Sequence, residues 1–321
     1  MKKTLVTAAL TLLCFLAYSQ EADEPGGQTE LSVVARAEYL SSDPLGNTSL
    51  YTLLEGEFAG NFSYSIANHW LSSEPELLYT NTLRNDDVNW LDWAYLTYST
   101  GDFAFTAGKN VMLWGTFEND EYDFDIHYPF ASSIWNNVNV YQWGLSASWN
   151  IADIVTLEAM ASTSPYNELL YQPKALAYGA RLKREGEHFS AMAAYNAIGK
   201  GEGAFLGVFS AGVHGEFGRF GFTLDWNSQA GDEETVFTKG MSTMMDLDYM
   251  ASDNLQFRLH GGLEYYEALQ TDSYTAGAAV HWYPIENLRA HILGAFNFGT
   301  ALPENQFIFS VGLTYTFSKR W

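Results

Sequence analysis

From residue 31 to the final segment, apolar side chains recur at every second position, stretch after stretch. The last stretch is the clearest. Phe307, Phe309, Val311, Leu313, Tyr315 and Phe317 fall on one face, and Gln306, Ser310, Gly312, Thr314 and Thr316 on the other, with Ile308 the one exception. Phe62, Tyr64, Ile66 and Trp70 alternate with Asn61, Ser63, Ser65 and His69 in the same way. So do Leu255, Phe257, Leu259 and Leu263 with Gln256, Arg258, His260 and Glu264. Successive side chains of a strand point to opposite faces, so each stretch has one greasy side and one small or polar side.

Sixteen such strands can be marked, near 31–40, 50–59, 61–71, 88–99, 102–109, 139–149, 154–163, 174–184, 187–197, 206–216, 219–228, 239–250, 254–265, 273–283, 287–298 and 306–317. Tight turns fall near Gly60, Thr100–Gly101, Asn150–Asp153, Glu185–Gly186, Phe217–Gly218, Ser252–Asn254 and Pro284–Asn287. Longer loops are expected at 41–49, 72–87, 110–138, 164–173, 199–205, 229–238, 266–272 and 299–305. Short turns alternating with longer loops, and both termini on the short-turn side, are the arithmetic of a closed antiparallel meander. The pattern is that of a transmembrane β-barrel with short periplasmic turns and longer external loops. Boundary error leaves fourteen and eighteen as the neighbouring strand counts.

A soluble β-sandwich or propeller would alternate too, burying one face and wetting the other. Three features favour the membrane. Aromatic residues gather at strand ends, where interface girdles need them. The chain closes on a strand with aromatic residues, and its start reads as an export signal. There is no blade-length repeat. Charged residues make up 17% of the chain, below the roughly 25% of soluble domains. With 10 Trp, 20 Tyr and 21 Phe it is far too aromatic to stay unfolded.

Residues 1–19 read as a cleaved secretory signal: Lys2 and Lys3, an apolar run from Leu5 to Leu16, then Ala17 and Ser19 before the cut. The run is short for a retained membrane anchor, and Leu13 is bulky where a lipid-modified Cys14 would want a small neighbour. Cleavage leaves residues 20–321 as the barrel, with 14 basic against 38 acidic residues and no cysteine. That composition excludes a disulfide framework and Cys-based metal sites, and its negative charge argues against nucleic acid. No cofactor is expected.

The terminal strand resembles that of Gram-negative outer-membrane proteins, which is read by the barrel assembly machinery. Tyr315, Phe317 and Trp321 carry the resemblance in one register, while Lys319 departs from it, so the strand is expected to end at Phe317 with a short tail. Topology, this strand and the Thr-Ala-Gly-Lys-Asn run at 106–110 together resemble the porin family across the whole barrel. The resemblance implies outer-membrane lipids around the barrel, a homotrimer, and a long third loop, 110–138, folded inward.

That loop contains Glu118, Asp120, Glu121, Asp123 and Asp125 and no Lys or Arg, together with Trp114, Phe117, Tyr122, Phe124, Tyr128, Phe130 and Trp135. Acidic side chains in a narrow pore lower the energy of a cation. A solvated acidic lid is the plainer reading, and a calcium loop lacks its glycine-centred spacing. Opposite the loop, alternation aims Arg36, Arg181, Lys183, Arg258 and Arg289, with His260, His281 and His291, at the lumen. Glu38, Glu55, Glu57, Glu158, Asp225, Asp246, Asp248 and Glu264 are the acidic counterparts. Facing lipid at mid-depth, Arg or Lys would cost ~2–4 kcal/mol, so water in the lumen explains them. The expectation is passive diffusion of small hydrophilic solutes, with a weak cation preference. A sugar- or phosphate-specific channel, a closed structural or adhesive barrel, and an outer-membrane lipase are the alternatives. A lipase needs a Ser–His pair on the lipid side, but His214, His260, His281 and His291 fall inward.

Overall fold

A computed structural model describes residues 28–41, 43–58, 61–71, 91–118, 130, 132, 139–167, 175–230, 240–266 and 270–321. The predicted signal at 1–19 lies outside the described residues. Period-two stretches have resolved into sixteen strands: β1 Thr29–Leu40, β2 Asp43–Phe58, β3 Phe62–Leu71, β4 Leu91–Thr100, β5 Phe103–Val111, β6 Tyr141–Ile151, β7 Val155–Thr163, β8 Leu176–Arg184, β9 Phe189–Gly201, β10 Ala204–Phe217, β11 Phe220–Ala230, β12 Gly240–Ser252, β13 Leu255–Tyr266, β14 Thr271–Ile285, β15 Leu288–Phe298 and β16 Gln306–Arg320. Each pairs antiparallel with its sequence neighbours, and β16 returns to β1 to close the barrel. Closure leaves no strand edge, the condition for a sheet to cross a bilayer.

The seam between β1 and β16 is continuous from Glu30↔Arg320 to Leu40↔Ser310. Below it the Trp321 and Thr29 backbones exchange hydrogen bonds of 2.9 and 3.3 Å, placing the start of β1 beside the last residue. The final strand therefore outruns its expected end at Phe317. Lys319 is carried in the ladder opposite Leu31, because a backbone pair accepts any side chain at an exposed strand end.

Three expected loops are also shorter than the sequence suggests. β2 begins at Asp43, so the 41–49 connection is a turn, and β14 begins at Thr271. Between β9 and β10 only Glu202 and Gly203 remain outside the strands. Gly201, Glu202 and Gly203 all have positive φ (90°, 55° and 87°), which lets a glycine-rich stretch turn in two residues instead of looping out.

Side chains sort by face as the alternation predicts. Leu145, Leu157, Tyr178, Leu182, Phe220, Leu259, Trp282, Ile292, Phe307 and Leu313 all point outward and are exposed. Such a belt of exposed apolar residues is intolerable in water but matches lipid. At the short-turn end aromatic rings pair across neighbouring strands: Phe62 with Tyr98 at 4.9 Å, Phe103 with Trp149 at 5.7 Å and Phe220 with Tyr249 at 4.7 Å. Amphipathic and aromatic rings favour the headgroup level, so this end forms an interface girdle. The fold is a sixteen-stranded transmembrane β-barrel.

Candidate functional site

On the inner face, the charged residues that alternation aimed at the lumen sit in pairs. Arg36 contacts Glu38 at 3.1 Å, two residues along β1. Arg181 on β8 donates to Glu158 on β7 at 2.6 Å, its direct cross-strand partner. Arg258 on β13 makes a two-pronged contact with Asp248 on β12, at 2.7 and 2.9 Å, also in register. Lys183 reaches Glu185 at 2.9 Å near the β8–β9 turn. Arg289 shares Thr314 as a register neighbour with Arg36. The wall is thus less positive than a count of its bases suggests, because most of its cations are matched by a carboxylate on the same wall.

The histidines join the same lattice. His260 Nδ1 lies 3.0 Å from Asp246. His291 Nε2 lies 3.0 Å from the Ser310 hydroxyl and 3.4 Å from Glu38, to which Ser310 also donates. His281 approaches the Gln256 amide at 3.3 Å. All three are buried within the barrel.

The connection from β5 to β6 supplies the rest. Its first residues leave β5 and meet the inner face of β8, β9 and β10. Met112, Trp114 and Val140 form an apolar cluster there with Ala177, Ile198, Leu206 and Val208. Asn196 Nδ2 donates to the Leu113 carbonyl at 2.8 Å. Gly179 gives the segment room, since a Cβ there would lie 3.3 Å from Leu113 Cβ.

One strand further round, Asp225 of β11 holds the next turn. Its carboxylate accepts from the Thr116 hydroxyl, from the Phe117 amide at 3.2 Å and from the Glu118 amide. These backbone N–H groups open a helical stretch whose described residues are 117 and 118, and would otherwise be orphaned. Gly212 on β10 makes the approach feasible: an added Cβ would fall 2.0 Å from Asp225 and 2.4 Å from the Thr116 hydroxyl. Phe117 lies against His214, with ring centroids 5.7 Å apart.

Glu118 is almost fully buried and accepts from the Ser132 amide and, at 2.9 Å, from the Ser132 hydroxyl. Burial pushes its carboxyl up to about 8, against the opposing pull of the two Ser132 bonds; the charges of Asp225 and Glu264 add to the rise. Beyond it, Phe130 stacks flat on His260, centroids 4.5 Å apart and 3° between planes. The same ring packs against Ala279, Leu293 and Ala295 on β14 and β15, with Ile308 of β16 beside it. That contact accounts for Ile308, the single apolar residue on the inner face of the last strand. Gly277 clears the space, for a Cβ there would strike Phe130 at 2.2 Å. The described residues of this connection therefore touch inner-face positions from β8 round to β16.

Of the loop residues singled out in the sequence, Trp114, Phe117, Glu118 and Phe130 are placed by these contacts, and Phe124, Tyr128 and Trp135 lie outside the described residues. Asp120, Glu121, Tyr122, Asp123 and Asp125 lie outside the described residues. The wall residues that seat the loop, Gly212, Gly277 and Asp225, carried no motif that marked them for this role. Their signal was a local break in the inner-face pattern: Ile198, Leu206, Val208 and Leu293 are apolar where a wetted wall would be polar, and glycines or alanines stand beside them.

No family model matches the sequence, and no curated protein matches it. Solved structures do match. An anion-selective porin from Comamonas acidovorans is 11% identical, with a TM-score of 0.67 over 90% of this chain and 99% of that one. The chain has the porin fold. OmpT, an outer membrane protein of Vibrio cholerae solved in a trimer form, is 10% identical with a TM-score of 0.66, covering 92% of this chain and 100% of that one. A mutant of the Rh. blastica porin is 13% identical with a TM-score of 0.60, over 91% and 100% of the two chains. At such identities side chains have diverged almost completely, so what this porin barrel shares with them is strand number and closure. Its inner-face chemistry has to be read from its own residues.

Proposed function

We propose that this protein is an outer-membrane porin, passing small hydrophilic solutes and ions by passive diffusion through a water-filled lumen. The observation that carries the reading is the seating of the 112–140 connection against inner-face residues of a closed barrel, through Asp225, Asn196 and the Phe130 stack. A loop held inside a barrel narrows it, and its side chains then face the passing solute. Trp114 and Glu118 belong to the docked part. Asp120, Glu121, Tyr122, Asp123 and Asp125 complete the acidic constriction in this proposal, opposite the wall of Arg36, Arg181, Lys183, Arg258, Arg289, His260 and His291. Because four of these bases sit in ion pairs, the net charge of −22 favours cations weakly over anions. The similar Comamonas acidovorans porin is described as anion-selective, so selectivity here rests on this chain's own charges.

Assembly follows the same reading. A homotrimer is supported by the trimer form of the similar Vibrio cholerae protein. Tyr315, Phe317 and Trp321 offer the aromatic terminal strand to the barrel assembly machinery, and the apolar belt faces outer-membrane lipid. Liposome swelling with sugars of rising size, paired with reversal potential across a KCl gradient, tests the proposal. Size-graded swelling and a cation-leaning potential support it. Liposomes that do not swell with the smallest sugar overturn it, and an anion-leaning potential overturns the selectivity.

A further inference from the structure

Beside the seated start of the loop, where Trp93 meets Tyr141 with ring centroids 6.1 Å apart, the inner face of β2, β3 and β4 carries a patch unlike the rest of the wall. Ser65 and Ala67 on the central strand are small and buried. In register beside them stand Glu55 on β2 and Tyr95 and Trp93 on β4. Small residues between large ones let the flanking rings lean inward over the central strand. Tyr51 and Trp93 meet there edge to face, centroids 6.2 Å apart. Trp93 is fixed further by its indole N–H, which donates to the Ser65 hydroxyl at 2.8 Å. Ser65 donates in turn to Glu55 at 3.0 Å. One hydroxyl thus sets both an indole ring and a carboxylate.

Glu55 is unusual for a second reason. Glu38, Glu158 and Asp248 on the same inner surface are each matched to an arginine. Glu55 is exposed and forms no ion pair among the described residues. The rings of Tyr51, Trp93 and Tyr95 are half-buried, so part of each remains open. A carboxylate without an ion-pair partner among the described residues, joined through Ser65 to the Trp93 indole, with Tyr95 in register and Tyr51 against Trp93, is the complement of a positively charged organic group. The ammonium meets the carboxylate while its N–CH₂ or N–CH₃ groups lie on the aromatic faces, within the roughly 6 Å at which cation–π attraction acts. A sugar would use the rings equally well but has no demand for the charge.

We propose that Glu55, Tyr51, Trp93 and Tyr95 form a lumenal binding site for organic ammonium solutes, which dwell there on their way through the barrel. The site rests on the open-channel reading for its role in transport, but its binding chemistry does not. Two measurements separate them. In planar bilayers, choline chloride added to a KCl bath should reduce the current in a saturable way, whereas glucose at equal osmolality should not. Glu55→Gln and Trp93→Ala should each raise the half-blocking concentration about five- to tenfold, with unblocked conductance still present. Block in both variants at the same choline concentration as in the unmodified protein, or a channel indifferent to choline, overturns the site while leaving the channel standing. Saturation-transfer NMR on detergent-folded protein, observing the choline N-methyl protons, reads binding whether or not current flows. Transfer that weakens in Glu55→Gln supports the site; transfer absent from the unmodified protein overturns it.

Discussion

Replacing Asp225 with alanine is the sharpest perturbation of the loop seat. The carboxylate is buried and accepts three hydrogen bonds from Thr116, Phe117 and Glu118, all within one turn of the loop. A hydrogen bond to a charged group is worth about 1.5–3 kcal/mol, so simple addition gives roughly 4–9 kcal/mol. The three donors share one acceptor and are strongly coupled, so addition overshoots. About 3 kcal/mol is a conservative figure, equivalent to roughly a hundredfold loss of docked over undocked loop. The assay introduces Ser132→Cys as a reporter, because Ser132 is fully buried where it meets Glu118 and Cys14, in the predicted signal, is the sole native cysteine. A water-soluble maleimide reads its exposure. Asp225→Ala in this background should raise the labelling rate about a hundredfold, while the control Glu158→Gln on β7 should leave it unchanged. Equal rates in both variants would refute the reasoning, since the loop would then be held by something other than Asp225.

Glu118 should make that docking pH-dependent. Its carboxyl rises from 4.5 to about 8 when buried, so the docked form holds a proton that the undocked form releases. Docking is therefore strongest below the ordinary carboxylate range, weakens as pH rises, and has lost the full contribution, a few kcal/mol, above about pH 8. Labelling of the same reporter, divided at each pH by that of a fully exposed cysteine to remove the thiol's own ionisation, should climb from pH 5 to pH 9 and flatten in Glu118→Gln; an unaltered slope in that variant would contradict the assignment. Gly277→Ala forces a Cβ onto Phe130, which is stacked on His260, the register partner of Gly277. Overpacking of this kind costs ~1–3 kcal/mol, and the temperature at which the folded band disappears on a gel should fall; an unchanged temperature removes the stack from the account. Arg258→Gln leaves Asp248 without its two-pronged partner, so the reversal potential should move toward cations, and a shift toward anions would show that the pair does not shape the lumen field.

The barrel was legible because a strand wetted on one side and lipid-bathed on the other has no freedom in its pattern. A single slip would put Arg258 or His260 into lipid, so alternation is enforced at every step. That is why the strand count and the faces of Arg36, Arg181, Lys183, Arg258, Arg289, His260 and His291 could be read directly. Turn length was less legible. Gly201 and Gly203 look like loop composition, yet they serve a two-residue turn, and only their backbone angles tell the two apart. The seat of the loop was hidden for a different reason. Asp225 reads as one more wall carboxylate, and its partners are more than 100 positions away in the chain. Pairing of the wall bases was half visible, since Glu158↔Arg181 and Asp248↔Arg258 follow from register. Ile308 was visible as an anomaly before it had an explanation, and Phe130 is that explanation.

In the function proposed above, the closed barrel encloses a continuous aqueous path that the docked loop narrows but does not seal. Single-channel recording of the refolded protein in a planar bilayer tests it most directly. The account predicts discrete, ohmic steps whose conductance scales with bulk KCl conductivity and grows when Asp225→Ala releases the loop. A folded, inserted protein that passes no current, and still passes none in Asp225→Ala, would contradict it.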